Sequence, residues 1–262
     1  MNISTENAEH YTWGQQCDGW HLLKTEALSV IQERMPPGTS EQLHAHRFAQ
    51  QLFYILSGTA TFEIEGNTYT LQASESIHIK PGSLHKIYNM QHHDLNFIVT
   101  SQPKAQGDRI EILEYTDELK SHIKTLNVEW LTKYFKVEPN DEVQLSNPKA
   151  AILDKGGSIY YARHNNEIVG TVSLLKMDET TYELGKMAVT EHAKGLGIGK
   201  ILMEHALTIA RRMGIKSLIL YSNTSLGPAI HIYEKYGFKE VPMEPGHYER
   251  ANIKMELLVS GQ

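Results

Sequence analysis

The segment VTEHAKGLGIGK concentrates three glycines between a β-branched stretch and an amphipathic helical pattern. Gly195, Gly197 and Gly199 would therefore lie where a helix begins. A helix N-terminus presents unpaired N–H groups and a partial positive charge, and a backbone without Cβ atoms lets a phosphate approach closely. Lys194 and Lys200 add positive charge. The segment therefore predicts a phosphate-binding loop.

The spacing of these glycines excludes the two commonest nucleotide-binding patterns. A P-loop needs four residues between its first glycine and its Gly-Lys pair, followed by serine or threonine. Here three residues separate Gly195 from Gly199, and Ile201 follows Lys200. The dinucleotide pattern G-x-G-x-x-G fails because Lys200 stands in place of its third glycine. A glycine-rich loop without a ligand remains the alternative.

Two motifs in the second half of the chain resemble those of the GNAT superfamily of acyl-CoA-dependent N-acetyltransferases. The family's pyrophosphate loop, [QR]-x-x-G-x-[GA], is matched by KGLGIG, with Lys194 in the leading position. The lysine keeps the positive charge but loses the planar fork of arginine. A second signature, an asparagine followed by A-x-x-x-Y-E-K-x-G-F, is present as Asn223 and then AIHIYEKYGF at 229–238. The resemblance covers roughly residues 109–259.

The resemblance implies acyl transfer from the thioester acetyl-CoA to the nitrogen of a small-molecule amine. Tyr233 would protonate the leaving thiolate, because a phenol with a pKa near ~10 keeps its proton at neutral pH. Glu183 would remove the amine proton through water. The alternatives are that Tyr233 only packs its helix against the sheet and that Glu183 forms an ion pair with a nearby lysine.

The same resemblance assigns the cofactor contacts and a region for the acceptor. The cofactor would be held by Met187, Val189, Lys194, Gly195, Leu196, Gly197, Ile198, Gly199, Lys200 and Asn223. The acceptor wall would lie around Asn127, Glu129, Trp130, Tyr134, Glu138 and residues 248–250. Carboxylates there would suit a cationic amine and Arg250 an anionic group, so the sequence leaves the charge of the acceptor open.

Histidines concentrate in the first half of the chain. His44 and His46 lie in an extended stretch, where residues i and i+2 point to the same face. With Gln51 and His85 brought in by neighbouring strands, they would form a metal site with four ligands. Imidazole nitrogen suits zinc, iron, nickel or copper.

This half resembles the cupin superfamily over about residues 13–103. The first cupin motif, G-x5-H-x-H-x(3,4)-E-x6-G, is represented by Gly38, His44, His46, Gln51 and Gly58, and the second, G-x5-P-x-G-x2-H-x3-N, by Ser74, Lys80, Gly82, His85 and Asn89. Gln51 replaces the usual glutamate and removes one anion, which weakens the binding of a divalent metal. Zinc, iron, manganese and nickel are the candidates. A metal-free pocket and hydrogen-bonded histidines are the alternatives.

The elements that would position these residues fall into two groups. Short β-rich runs before residue 101 favour an all-β barrel, the double-stranded β-helix of cupins. Alternating strands and helices follow, including predicted helices over 116–127 and 129–135, and favour an α/β fold of the GNAT type. The polar segment Ser101–Asp108 would be the linker. We therefore predict a cupin domain over residues 1–104 and a GNAT domain over residues 105–262.

Composition narrows the remaining possibilities. With 25 Lys+Arg against 31 Asp+Glu, the formal net charge is −6, which does not favour nucleic acid as a partner. We expect no membrane span, because no apolar run reaches about 20 residues. The single cysteine, Cys17, favours a reducing, cytoplasmic location. A homodimer is a further possibility.

Three hypotheses follow from these motifs. The first is an acetyl-CoA-dependent N-acetyltransferase for a small amine, with a cupin domain that binds a divalent metal and a small ligand. The second is a metal-dependent cupin oxygenase or isomerase with an accessory acetyltransferase domain. The third makes the cupin domain a sensor whose ligand regulates the acetyltransferase, which requires coupling between two sites.

Overall fold

The computed structural model describes residues 2–243 and 248–259. The chain divides into two compact units, residues 1–112 and residues 113–262. Among the described residues, no helix is long and apolar enough to cross a membrane.

The first unit is built of antiparallel strands in two sheets. Its strands are β1 (Glu9–Trp13), β2 (Cys17–Lys24), β3 (Ser29–Met35), β4 (His44–His46), β5 (Gln50–Ser57), β6 (Thr59–Ile64), β7 (Asn67–Gln72), β8 (Ser76–Ile79), β9 (His85–Tyr88), β10 (Leu95–Gln102) and β11 (Arg109–Glu114). One sheet has the order β1-β2-β3-β10-β5-β8, and the other contains β11-β4-β9-β6-β7. This is the all-β architecture that the sequence predicted for the first half.

Alternation along the strands produces the core of this unit. Buried and partly exposed residues alternate along β3 and β10, as expected for strands with one face inside. Phe53, Phe62 and Phe97 lie inside, with ring centroids 5.1 Å apart for Phe53–Phe62 and 5.7 Å apart for Phe53–Phe97. The core therefore forms between the two sheets, beside the strands that carry the histidines.

The first unit ends later than the sequence predicted. Arg109 and Glu111 of β11 pair antiparallel with His46 and His44 of β4. This pairing attaches residues 109–112 to the first unit, whereas the predicted division lay between residues 104 and 105. The predicted linker is also shorter, because β10 continues to Gln102.

A buried carboxyl group lies in this unit. Glu33 is 8% exposed, and its Oε1 accepts a hydrogen bond of 2.9 Å from the Tyr11 hydroxyl. Burial, followed by the nearby charge of Glu41, raises the pKa of Glu33 to about 8. The folded unit therefore holds this proton more tightly than the unfolded chain does.

We expect Glu33→Gln to reduce the loss of stability at alkaline pH. The stabilisation from the protonated carboxyl is complete below its unfolded pKa of 4.5 and is lost as the pH rises through about 8, a change of roughly 3–5 kcal/mol. The glutamine does not titrate. Thermal unfolding at the two pH values measures the difference in Tm between the variant and the wild type. This difference should be at least about 5 °C more in favour of the variant at pH 8.5 than at pH 5.5. Parallel Tm curves would contradict the assignment.

The second unit is an α/β layer structure. Its elements are α1 (Lys120–Tyr134), α2 (Pro139–Ser146), β12 (Ser158–His164), β13 (Glu167–Lys176), β14 (Thr181–Val189), α3 (Ile198–Arg212), β15 (Ser217–Ser222), α4 (Gly227–Lys235), β16 (Lys239–Val241) and β17 (Ile253–Leu258). The sheet order is β12-β13-β14-β15-β17-β16. Only the β14–β15 pairing is parallel among the paired strands described for this unit.

Helix α3 packs its apolar face against the sheet. Ile198, Ile201 and Leu202 are buried, in agreement with the helical spacing of the sequence. A Cβ atom built on Gly170 of β13 would lie 3.0 Å from side-chain atoms of both Ile198 and Leu202. The absence of a side chain at Gly170 therefore lets the helix approach the strand and fixes the position of its N-terminus.

Candidate active site and candidate metal centre

The glycine loop leads directly into helix α3. Gly195 and Gly197 have φ angles of +78° and +79°, in the left-handed region that favours glycine, and Gly197 caps α3. A Cβ atom at either position would meet no protein atom within 4 Å. The helix N-terminus therefore opens onto space where a diphosphate group fits.

Strands β14 and β15 separate next to this loop. Their parallel pairing covers only Thr181–Glu183 against Ser217–Ile219. Beyond it, the pairing of β14 with β13 is irregular, and Lys186 takes a φ angle of +49°. The backbone of Met187 and Val189 thus lies beside the opening rather than in a ladder with β15, which is where an extended ligand arm could pair with it.

A cavity of about 680 Å³ joins the loop, the separated strands and helix α4. Most of the predicted site residues line it: Glu183, Tyr233, Met187, Val189, Lys194, Gly195, Gly197, Ile198, Gly199, Lys200 and Asn223. Leu196 does not line this cavity. Its side chain is partly buried, and its backbone N–H donates to the Ala193 carbonyl over 3.3 Å.

Asn223 lies before helix α4, and Tyr233 lies within it. Burial raises the pKa of Tyr233 to about 12, so its hydroxyl is protonated at neutral pH. The Asn223 amide donates to the Arg250 carbonyl over 2.7 Å, and its oxygen accepts from the Ser225 N–H over 2.9 Å. Asn223 therefore holds two loops of its own chain beside the cavity.

Glu183 is buried, and its carboxylate has a tyrosine as a neighbour. The Tyr248 hydroxyl donates to Glu183 Oε1 over 3.0 Å. Gly185, two residues along β14, makes room for the carboxylate: a Cβ there would lie 3.0 Å from Glu183 Oε1. The nearby Lys186 ammonium lies 2.9 Å from Asp141 Oδ1.

The predicted acceptor wall separates into two sets. Asn127, Trp130 and Tyr134 line the cavity. Glu129 instead accepts hydrogen bonds from Thr190 and the Glu191 N–H, and Glu138 accepts from the N–H groups of residues 249 and 250. Both glutamates therefore hold the backbone. Asp141 and Lys186, which no sequence motif singled out, line the cavity as an ion pair.

Three histidines converge in the first unit. Ligand atoms of His44, His46 and His85 lie within 4.8 Å of one another, and all three side chains are buried. Burial, followed by His85 and Arg109, lowers the pKa of His46 to about 3. Burial and Arg109 lower the pKa of His85 to about 4, against the opposing effect of its hydrogen bond with Ser83. Neutral imidazole is the form that binds metals.

Hydrogen bonds orient two of these imidazoles. Nδ1 of His44 lies 2.9 Å from the Gln42 carbonyl oxygen, and Nδ1 of His85 lies 2.9 Å from the Ser83 carbonyl oxygen. A carbonyl only accepts, so each neutral ring carries its proton on Nδ1 and keeps a lone pair on Nε2. Nε2 of both rings is therefore in the state of a metal ligand.

Gln51 completes this candidate metal centre. Its Nε2 donates to the Ser101 hydroxyl over 3.2 Å, and its Oε1 lies 2.9 Å from Nε2 of His85. With the His85 proton on Nδ1, the Nε2 lone pair of His85 and the Gln51 amide meet beside the other two histidines. The four predicted ligands therefore fit a divalent metal.

A second cavity, of about 420 Å³, adjoins the metal centre. It is lined by His44, His46 and Gln51 together with Tyr11, Glu33, Glu41 and Arg109. His78, in contrast, is exposed and lies 2.9 Å from the Gln50 side chain. Its place outside the cluster agrees with the spacing of the cupin motifs.

Family models match both units of the chain. The model described as "Acetyltransferase (GNAT) family" matches residues 122–238, and the model described as "Cupin domain" matches residues 31–101. The chain therefore contains a cupin domain followed by a domain of the GNAT acetyltransferase family. The GNAT fold implies the use of acetyl-CoA.

Individual relatives cover one part of the chain each. The uncharacterized N-acetyltransferase YvbK of Bacillus subtilis is 29% identical over 121 residues, covering 44% of this chain and 78% of that protein. The oxalate-binding protein of Thermotoga maritima is 31% identical over 83 residues, 30% of this chain and 69% of that protein.

A solved structure agrees with the fold of the second unit. The GNAT-family acetyltransferase from Staphylococcus aureus Mu50 superimposes with a TM-score of 0.53 at 24% identity, covering 58% of this chain and 99% of its own. At this identity the likeness establishes the fold alone.

Proposed function

We propose that the protein transfers the acetyl group of acetyl-CoA to the nitrogen of a small primary amine. One observation carries the proposal: the open glycine loop, Glu183 and Tyr233 line a single cavity. Acetyl-CoA would supply an activated carbonyl and a thiolate leaving group. The loop from Lys194 to Lys200 would hold its diphosphate, and the backbone of Met187 and Val189 would hold its pantetheine arm.

The two proposed catalytic residues have complementary proton chemistry. Glu183 takes one proton from the acceptor ammonium through water, which exposes the nitrogen lone pair. As the C–N bond forms and the C–S bond breaks, Tyr233 gives its proton to the sulphur. The excess proton on the new amide nitrogen passes through water back to Tyr233, and Glu183 releases its proton to bulk water. The raised pKa of Tyr233 keeps it in the acid form before each turnover.

The surroundings of Glu183 favour a cationic acceptor without a carboxylate. Both amino groups of the Arg250 guanidinium contact Asp141, at 2.6 and 3.1 Å, and Lys186 contacts the same carboxylate. An acidic acceptor would have to displace Asp141 from these cations and lie close to Glu183. Repulsion between the acceptor carboxylate and the carboxylates of Asp141 and Glu183 would oppose binding.

We therefore expect a decarboxylated amine to be a better acceptor than its parent amino acid. Tyramine should exceed L-tyrosine by at least about tenfold in kcat/KM, because one such unfavourable charge contact costs a factor of ten or more. CoA release, followed with a thiol reagent, measures both rates across a panel of primary amines. No release above background with any amine, together with no rise of Tm in acetyl-CoA, would reject the proposed activity. A preference for L-tyrosine would reject the acceptor class alone.

We propose a second function for the cupin domain, the binding of a divalent metal by His44, His46, Gln51 and His85. The convergence of the His44 and His85 lone pairs beside the Gln51 oxygen supports it. Zinc, iron, manganese or nickel would supply a Lewis acid at the cavity, which would hold a small ligand. The name of the Thermotoga relative favours a small dicarboxylate as a first ligand to test.

The cupin domain would act either as an enzyme or as a sensor. A metal-dependent oxygenase or isomerase activity requires a reaction that disappears when the metal is removed. A sensor requires that a cupin ligand changes the affinity for acetyl-CoA. Calorimetric titration of acetyl-CoA into the metal-loaded protein, with and without oxalate, tests the sensor role, because only a sensor requires the two affinities to differ.

We also propose a cytoplasmic location, in keeping with the free, buried Cys17. We further propose a homodimer, which sedimentation velocity would test.

A further inference from the structure

A chain of buried polar groups runs from Glu183 to Arg250 along one wall of the large cavity. Arg250 donates to Asp141, Lys186 donates to Asp141 over 2.9 Å and to the Tyr248 hydroxyl oxygen over 3.4 Å, and Tyr248 donates to Glu183 over 3.0 Å. These residues come from α2, β14 and the segment before β17, which are distant in sequence.

The direction of donation in this chain is fixed by chemistry. An ammonium group only donates, so Lys186 occupies a lone pair of the Tyr248 oxygen. The tyrosine proton then points to the carboxylate of Glu183. Burial, and next the charge of Glu183, raises the pKa of Tyr248 above its ordinary value, so the hydroxyl keeps this proton.

The far end of the chain holds Lys186 in place. The Lys186 and Asp141 side chains are only 4% and 1% exposed. Burial alone would raise the pKa of Asp141, but Lys186 and Arg250 hold it below its usual value, so the carboxylate stays charged. Lys186 is thus fixed by a buried ion pair. Its backbone has a φ angle of +49°, a strained conformation that persists only where the surrounding structure holds it.

We infer that Tyr248, supported by Lys186 and Asp141, is a positioning residue that holds the Glu183 carboxylate in its ionised form. This inference rests on the proposed role of Glu183 as the proton acceptor. A hydrogen bond donated to a carboxylate stabilises the charged form and lowers its pKa. Cooperative polarisation along the chain strengthens that bond. The acceptor amine would therefore meet a carboxylate with one oxygen already fixed and its charged form favoured by the hydrogen bond.

Several charged and titratable groups surround the Tyr248 hydroxyl that contacts Glu183. Tyr248 interacts with Glu183, Lys186, Asp141 and Arg250, and Arg250 also pairs with Glu138 over 3.0 Å. The Tyr248 hydroxyl contacts the carboxylate directly, donating to Glu183 Oε1 over 3.0 Å. Tyr221 contacts the Tyr248 ring, with centroids 5.8 Å apart.

The test is a direct titration of Glu183. Protein labelled with ¹³C at the glutamate side-chain carboxyl is titrated by NMR without acceptor or acetyl-CoA, and Glu183→Gln identifies the signal of Glu183. Tyr248→Phe should raise the pKa of Glu183 by about one unit. Tyr182→Phe is the matched control, since its hydroxyl donates to the Gly156 carbonyl on the other face of β14, and it should leave that pKa unchanged.

The readout is independent of acetyl transfer. If no amine is acetylated, the titration still reports on the network, and the proposed function fails alone. An unchanged pKa of Glu183 in Tyr248→Phe would overturn the inference. If circular dichroism shows that this variant does not fold, Lys186→Met takes its place. It should shift the pKa in the same direction, and no shift would overturn the inference equally.

Discussion

Glu183→Gln should lower kcat/KM for the best amine by about 100-fold to 10,000-fold, the range typical of losing a general base. Glutamine keeps the shape of the side chain and can still accept the Tyr248 hydrogen bond, but it cannot take a proton from the ammonium. The affinity for acetyl-CoA should stay within a factor of about two, because binding of the cofactor depends on other residues. Steady-state kinetics and calorimetry measure the two quantities.

Glu179→Gln provides the matched control for this substitution. Glu179 lies in the connection between β13 and β14. Its side chain is 90% exposed, and it pairs only with Lys176 among the ion pairs described. It should leave both constants unchanged. A loss below about threefold in Glu183→Gln would show that another group, or solvent, accepts the proton.

His85→Ala should abolish metal binding to the cupin domain. Two imidazoles and one neutral amide would remain, and losing one of three imidazoles should weaken binding by at least about 100-fold. Elemental analysis after dialysis should therefore find roughly one metal ion per chain in the wild type and almost none in the variant. Gln51→Glu, which adds the anion that the site lacks, should bind more tightly than the wild type.

His78→Ala is the control for the metal experiment. His78 lies on β8, with an exposed side chain outside the histidine cluster. It should retain the full amount of metal. Equal metal content in His85→Ala and wild type would place the ion elsewhere, and its absence from both would favour a metal-free cavity.

Features carried by short motifs were predictable from the sequence. The glycine loop, the strand that carries Glu183 and the histidine spacing each depend on residues close together in the chain. Local physics determines them: glycine permits φ angles such as the +79° of Gly197, and extended backbone places His44 and His46 on one face. The two fold classes followed from the same patterns.

Features that depend on distant pairings were not predictable. The sequence suggested a helix end at residue 127, but α1 continues from Lys120 to Tyr134, because burial of Ile123 and Leu131 against the sheet outweighs the weak local signal. Asp141 looked like an ordinary acidic residue in a polar segment. Its role depends on Lys186 and Arg250, which lie 45 and 109 positions away, and no periodicity records such contacts.

The divergence of β14 from β15 after Glu183 has a consequence for how such a protein can evolve. A ligand arm that pairs with the exposed edge of β14 is gripped by peptide groups, which are the same for every amino acid. Side chains at positions 187 and 189 are then under little constraint from the coenzyme. Under the proposed function, substitutions at these two positions would change the shape of the cavity and the preferred amine, while the backbone contacts with acetyl-CoA would stay the same.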